Sequence, residues 1–266
     1  MTDIFKPETS NLFASAVVPL INKALIDKRA SQPKRQYLGA SMWGDPCDRK
    51  LAYQFHQTPI DEGRGFSPEI LRVFDMGHDC EERVAEYIKL AGFDLVTNKQ
   101  DGSQFGFSAA DGKLKGHIDG VIILGPQIPG LEYPVLWENK GLNDKSWNDT
   151  VKKGVKISKP LYYAQAQTYM AYMDLHKGCM FTILNRNTGE IHAELIEFDA
   201  RAAQVASDRA VRVIATANPL EMARCTNDPA DLRCKFCDFR TRCWGLNVEV
   251  CVTTAQQLPT WLKRNQ

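Results

Sequence analysis

The chain lacks a long hydrophobic run, an excess of charge of either sign and any repeated segment. No apolar stretch approaches the roughly 20 residues that a membrane-crossing helix needs, so no membrane partner is expected. The first seven residues mix acidic and basic side chains and have no signal-peptide core, so a cytoplasmic setting is expected. The formal net charge is only +1 over 266 residues, which excludes an overall polycation and leaves room only for local basic patches. One candidate patch is residues 140–159, where Lys140, Lys145, Lys152, Lys153, Lys156 and Lys159 stand against Asp144 and Asp149.

What is present is the composition of a globular protein, 44% hydrophobic and 24% charged. The length suits one large domain with a small appendage. Eight cysteines are present. In a reducing compartment clustered cysteines read as metal ligands rather than disulfides.

Residues 11–25 have helical apolar spacing, and 27–36 read as a charged loop. A short helix is expected from Asp48, and 61–68 is a Gly-containing loop. Residues 69–91 form an amphipathic helix, with Ile70, Phe74, Gly77, Glu81, Val84 and Ile88 on one stripe. Strands are expected over 93–98, 104–108, 116–124, 135–140, 179–185 and 191–198, the last two joined by an Asn187-Thr188-Gly189 turn. Helices are expected over 159–174 and 199–217. The order points to an α/β core with a central mixed sheet.

Two of these strands carry charges unsuited to a core. Gly116-His117-Ile118-Asp119-Gly120 supplies Asp119, and Trp137-Glu138-Asn139-Lys140-Gly141 supplies Glu138 and Lys140. Glu138 and Lys140 are two apart and so share a strand face. Asp119 is expected to share its face with His117, Val121 and Ile123. Carboxylates paired this way suit Mg²⁺ or Mn²⁺, and a nearby lysine suits charge building on a phosphate. A bare match of this kind also arises by chance, with Asp119 capping a turn and Glu138 and Lys140 forming a surface pair. The third carboxylate is Glu81, on the inward stripe of its helix, where an unpaired charge is costly. Glu82 lies about 100° further round, and His78 falls on the polar face.

Cys234-x-x-Cys237 presents two thiols from one turn, and Cys243 adds a third. Cys47, just before a helix start, is the favoured fourth, with Cys225 and Cys251 as alternatives. Cys80 and Cys179 read as core residues. Four thiolates suit zinc or an iron–sulfur cluster. Tyr162, Gln165, Tyr169 and Tyr172 fall on one helix side, and Gln165 there requires a polar partner.

Together these motifs resemble the PD-(D/E)XK nuclease superfamily, and most nearly its RecB-like iron–sulfur branch of CRISPR-associated adaptation nucleases and phage exonucleases. The resemblance rests on residues 76–82, 116–120, 137–140, Tyr162-x-x-Gln165-x-Gln167 and the cysteine frame, and spans roughly residues 40–245. It implies a restriction-endonuclease-like α/β core with a central mixed sheet flanked by helices, plus a C-terminal cysteine-rich metal-cluster segment packed with the N-terminal region. The divisions are 1–68, 69–217 and 218–266. It implies a metal-dependent DNA exonuclease acting on duplex ends or single strands in a bacterial or phage-infected cell, with a recombination or CRISPR-adaptation protein as partner. Glu81, Asp119, Glu138 and the Asn139 carbonyl become ligands of Mg²⁺ or Mn²⁺. Lys140 becomes catalytic and Gln165 the motif glutamine. Cys47, Cys234, Cys237 and Cys243 become ligands of a [4Fe–4S] cluster, with zinc the other occupant. Ile118 replaces the motif proline, and Glu81 stands where RecB-like members often have histidine. No GKT or GKS motif accompanies the array, so a stand-alone nuclease or a subunit is expected. The remaining readings are a non-catalytic nucleic-acid-binding subunit and a zinc-stabilised nuclease-like protein.

Overall fold

The computed structural model describes residues 8–245 of the chain. Its centre is a five-stranded mixed sheet in the order β2-β5-β6-β7-β8. The strands are β2 (Asp94–Val96), β5 (Gly120–Leu124), β6 (Val135–Leu142), β7 (Cys179–Asn185) and β8 (Ile191–Ile196). β6 runs parallel to β7 and the other neighbours are antiparallel. β6 is buried on both faces from Val135 to Asn139, as expected of a central strand covered by helices.

One face is covered by α3 (Pro68–Leu90). Ser67 caps this helix, Pro68 occupies its first turn, and Gly92 beyond its end adopts a φ of 90°. Val84, Ala85 and Ile88 pack on Leu95, Ile122, Val135 and Trp137. After β6 come the short helices α4 (Asp144–Lys153) and α5 (Val155–Ser158), and the other face is covered by α6 (Pro160–Tyr172) and α7 (Ala200–Ala215). There Ala166, Tyr169 and Met170 meet Leu136, Phe181 and Ile183, with Ala206, Ala210 and Val213 behind. Each fully buried aliphatic or aromatic side chain contributes about 1.5–3 kcal/mol, so these two cores hold the helices to the sheet.

A second sheet of three strands has the order β1-β4-β3, from β1 (Leu38–Gly39), β3 (Gly106–Ala109) and β4 (Leu114–His117). Its inner residues Leu38 and Leu114 join the larger core beside Trp43. α2 (Asp48–Phe55) packs against α7, where Arg209 and Arg212 reach Asp48 at 2.9 and 3.4 Å. Residues 219–244 lie along α2: Arg49 donates to the carbonyls of Leu220 and Met222, and Tyr53 meets Phe239 at 5.0 Å. No helix of the described residues is long and apolar enough to cross a membrane.

Four expectations are corrected. Residues 116–124 are two strands, β4 and β5, in different sheets, because the chain leaves one sheet at Ile118 and enters the other at Gly120. Asp119 therefore sits in the junction and does not share a strand face with His117. The central sheet is accordingly accompanied by a second one. The first helix, α1 (Glu8–Ala30), runs past residue 27 into the expected loop. Ile70 and Phe74 are exposed, and α3 is anchored by Leu71 and its C-terminal half instead.

Gly116 lies where the small sheet meets α6. A Cβ there would stand 2.5 Å from Phe107 Cε1 and 2.8 Å from Tyr169 Cε1. Both rings are packed, Phe107 stacking on Tyr172 at 4.3 Å. Gly116→Ala is expected to cost about 1–3 kcal/mol by overpacking, read as a lower urea midpoint with unchanged slope.

Candidate active site

Glu138 lies within the buried run of β6 and has no exposed surface. Lys140, on the same strand face, sets its Nζ 2.5 Å from Glu138 Oε1 and 3.9 Å from Asp119 Oδ2. The Lys140 ammonium also lies 5.6 Å over the Tyr162 ring. From α6, Gln165 donates to the same Glu138 oxygen at 2.6 Å and to Tyr169 Oη at 3.3 Å. Gln167 faces elsewhere, joining the Glu197 carbonyl and the Asp199 amide to α6. Of Gln165 and Gln167, only Gln165 belongs to this cluster.

The geometry follows from strand divergence. β5 pairs with β6 only from Val135 to Trp137, whereas β6 continues along β7 to Leu142. Past Trp137 the amide edge of β6 lacks its antiparallel neighbour. Asp119 fills that role: its Oδ2 accepts the Asn139 N–H at 2.8 Å. A residue's amide and carbonyl leave a strand on the same side, so the Asn139 carbonyl also faces this edge. The Asn139 side chain lies on the opposite face, where its Oδ1 accepts from Thr182 at 2.9 Å.

Glu81 and His78 of α3 line the same cleft as Lys140, Asn139 and Gln165. His78, on the polar face of its helix, ranked below Glu81 as a site residue. It stands close enough for its charge to favour ionised Asp119. One turn separates it from Glu81, so the two share a helix side. The cleft holds about 870 Å³. Its cations come from Lys28, Arg29, Arg35 and Arg186. The lysine-rich stretch contributes Lys140 alone, while Lys153 pairs with Asp149 and Lys156 with Asp199.

Burial is the largest influence on all three acids. It raises Glu138 to about 8, with Asp119 adding to the rise. It raises Glu81 to about 7, again with Asp119 next. Asp119 moves upward as well, against the pull of Lys140. Lys140 is held above the ordinary lysine range by Glu138 and Asp119, which outweigh its own burial. Three carboxyls thus share one fixed cation.

That donor set fits a divalent oxygen-seeking cation. Glu138 Oε2 is buried and has no hydrogen-bond partner, and the three carboxyls, once ionised, would carry more negative charge than Lys140 can offset. Among the described residues no group of three or more His, Cys, Asp or Glu side chains is arranged to hold an ion as it stands. In the acidic cluster Lys140 and Gln165 both engage Oε1 of Glu138.

A second polar centre lies on α2. Cys47, Cys225, Cys234, Cys237 and Cys243 line one cavity of about 500 Å³. Cys47 is the N-cap residue of α2. Cys225 lies beside Cys47 and the cavity's apolar surroundings, first among its influences, push its thiol up to about 12. Cys251 lies outside the described residues. Arg49 Nη1 stands 4.0 Å from Cys243 Sγ, and Lys50, Arg224, Arg233 and Arg240 share the lining. Sulfur donors with cationic neighbours fit a thiolate-bound metal or cluster by donor chemistry. Cys179 is a core residue, whereas Cys80 is only half-buried.

No protein-family model matches the chain, and no curated protein matches it in sequence. Among solved structures, the crystal structure of SSO0001 matches with a TM-score of 0.51 at 16% identity, over 87% of this chain and 97% of its own. LHK-Exo in complex with dAMP matches with a TM-score of 0.47 at 18% identity, over 68% of this chain and 87% of its own. A further structure of LHK-Exo, an alkaline exonuclease from Laribacter hongkongensis, gives 0.45 at 20% identity over 68% and 90%. The likeness to SSO0001 is one of fold: a mixed α/β arrangement of sheets flanked by helices.

The raised carboxyls make metal-free stability depend on pH. Glu138 titrates near 4.5 when unfolded and about 8 when folded, so folding favours its protonated form. The resulting stability is full below pH 4.5 and is lost as the pH climbs through 8. In EDTA the melting temperature should fall between pH 6 and 8.5 by at least about 2–4 °C, the shift that 1 kcal/mol gives in a domain of this size. Glu138→Gln should flatten that slope, and an equally steep variant would refute the assignment.

Proposed function

We propose that the chain is a divalent-metal-dependent nuclease of the PD-(D/E)XK type that hydrolyses phosphodiester bonds in DNA as an exonuclease acting on ends or single strands. The observation that supports this best is the convergence of Glu81, Asp119 and Glu138 on one lysine at the wall of a cationic cleft. Asp119, Glu138, Glu81 and the Asn139 carbonyl would hold Mg²⁺ or Mn²⁺. Such a cation, when bound, lowers the pKa of water and polarises a phosphoryl oxygen.

The protein's own groups divide the remaining work. Gln165 fixes the rotamer of Glu138 through its 2.6 Å hydrogen bond. Asp119 is oriented by the Asn139 amide. Lys140 supplies a positive charge that stays protonated at neutral pH and stabilises negative charge growing on the phosphate. Lys28, Arg29, Arg35 and Arg186 favour a polyanion in the cleft. The cysteine cavity is assigned a structural [4Fe–4S] cluster, with zinc as the other thiolate-preferring occupant. Cys47, Cys234, Cys237 and Cys243 are its ligands in this reading.

End-labelled linear and circular DNA, incubated with Mg²⁺ or Mn²⁺, tests the reading. Linear substrate should be degraded and closed circles spared. Asp119→Ala and Lys140→Ala should each lower the rate by about 10²–10³, the usual cost of losing a charge-stabilising group. Equal rates in wild type and both variants would sink the assignment.

Iron, sulfide and zinc content of anaerobically purified protein tests the second centre. Cys47→Ser is expected to lose most of the metal and Cys225→Ser to retain it. The reverse outcome would move the fourth ligand to Cys225.

A further inference from the structure

The outer face of the small sheet concentrates positive charge that the acidic cluster does not use. Side chains of β4 alternate, so Leu114 and Gly116 turn inward while Lys115 and His117 turn outward. β1 runs parallel to β4 and sets Gly39 opposite Lys115. Just before β1, Arg35 folds back over Tyr37 with its guanidinium carbon 5.1 Å from the ring centroid. Lys115 Nζ lies 5.3 Å from the same centroid, and the His117 ring meets Tyr37 edge-on at 6.5 Å. Gly39 leaves room for this arrangement, since a Cβ there would stand 2.8 Å from Arg35 Nη1.

Two cations gathered on one ring repel each other unless an anion joins them. Among the described residues neither Arg35 nor Lys115 has an ion-pair partner. The charges bearing on His117 are those of Arg35, Lys115 and Lys99, with no acid among them. Lys99 is shared with Asp101. Arg35 also lines the cleft, so the patch and the acidic site are continuous through one side chain.

We infer that the outer face of the three-stranded sheet is a track for the phosphate backbone of a nucleic-acid strand running to or from the cleft, with Arg35 and Lys115 on successive phosphates and Tyr37 and His117 against its sugars or bases. This deepens the nuclease reading and rests on it. An arginine fork suits a phosphate, and an adjacent ring offers the stacking surface that unpaired nucleotides use. The continuity with the cleft favours a nucleic acid over an acidic protein segment.

The test is fluorescence anisotropy with labelled oligothymidylate in EDTA, so that no strand is cut, over a salt series. Wild type is compared with Arg35→Gln/Lys115→Gln and with Lys145→Gln/Lys152→Gln, which changes net charge equally. The first variant should give a salt slope shallower than wild type by about 1.4, at roughly 0.7 per single-strand phosphate contact. The second should keep the wild-type slope. Equal slopes in both variants, no binding by wild type, or tighter binding of an oligoglutamate probe overturns the track. Cleavage is scored separately with Mg²⁺ or Mn²⁺. Cleaved DNA with unchanged slopes removes the track alone, and a flattened slope with uncut DNA removes the nuclease reading alone.

Discussion

A glutamate with no exposed surface stands at the centre of the main sheet, and the cleft is organised around its charge. An isolated buried carboxylate costs several kcal/mol. Glu138 has a lysine and a glutamine arranged to lower that cost, and its neighbour Asp119 is held by the β6 strand edge. The compensation is incomplete, because Asp119 and Glu81 add negative charge to the same place. Such an arrangement persists only where the surrounding fold is strong enough to impose it. Here four segments must be held in register: α3, the β4–β5 junction, β6 and α6. Two separate apolar cores, one on each face of β6, do so.

The polar cluster also marks the place where the sheet opens. β6 stays paired with β7 along its length while β5 turns away after three residues. The turning is made at Ile118 and Asp119. Ile118 is fully buried and pins the crossing, and Asp119 then meets the amide that the missing strand would have bonded. A carboxylate that substitutes for a strand partner is fixed by backbone geometry rather than by a flexible contact. The same opening admits α3 at the edge, which is how Glu81 and His78 reach the site.

Elements with strong punctuation were legible in the sequence. α3 has its glycine stop, α7 has Asp199 as cap, and the hairpin after β7 has Asn187-Thr188-Gly189. Glu138, Lys140 and Gln165 were legible because spacing of two on a strand, and an inward glutamine on a helix, are local properties. The break inside residues 116–124 was not, since both halves alternate alike and the change of sheet is a tertiary event. Gly116 and Gly120 on either side were the available signal. His78 ranked low because a polar helix face and a cleft wall look alike until a second element stands opposite. Ile70 and Phe74 followed the helical period yet lie at the open end of α3, beyond the sheet that buries its other half.

The two polar centres differ in how firmly the protein itself holds them together. The acidic cluster sits in a framework whose apolar packing is complete on both sides, so its geometry is set before any cation is considered. The cysteine cavity has less behind it. Its walls are the start of α2 and short helical turns, α8 (Leu232–Lys235) and α9 (Arg240–Trp244), which bury few side chains beyond Cys234 and Phe239. Around these turns Arg49 of α2 holds the carbonyls of Leu220 and Met222, Asp61 beyond α2 holds the amides of Thr241 and Arg242 and donates its own amide to the Asp238 carbonyl, and Tyr53 adds one aromatic contact to Phe239. Net contributions of about 1 kcal/mol per hydrogen bond position such turns without making them rigid. A multivalent thiolate centre joining α2 to both turns would supply the missing constraint. In the proposed reading, metal would therefore have a different physical part at each end: it would offset charge where the fold is already firm, and restrain chain where the fold is thin.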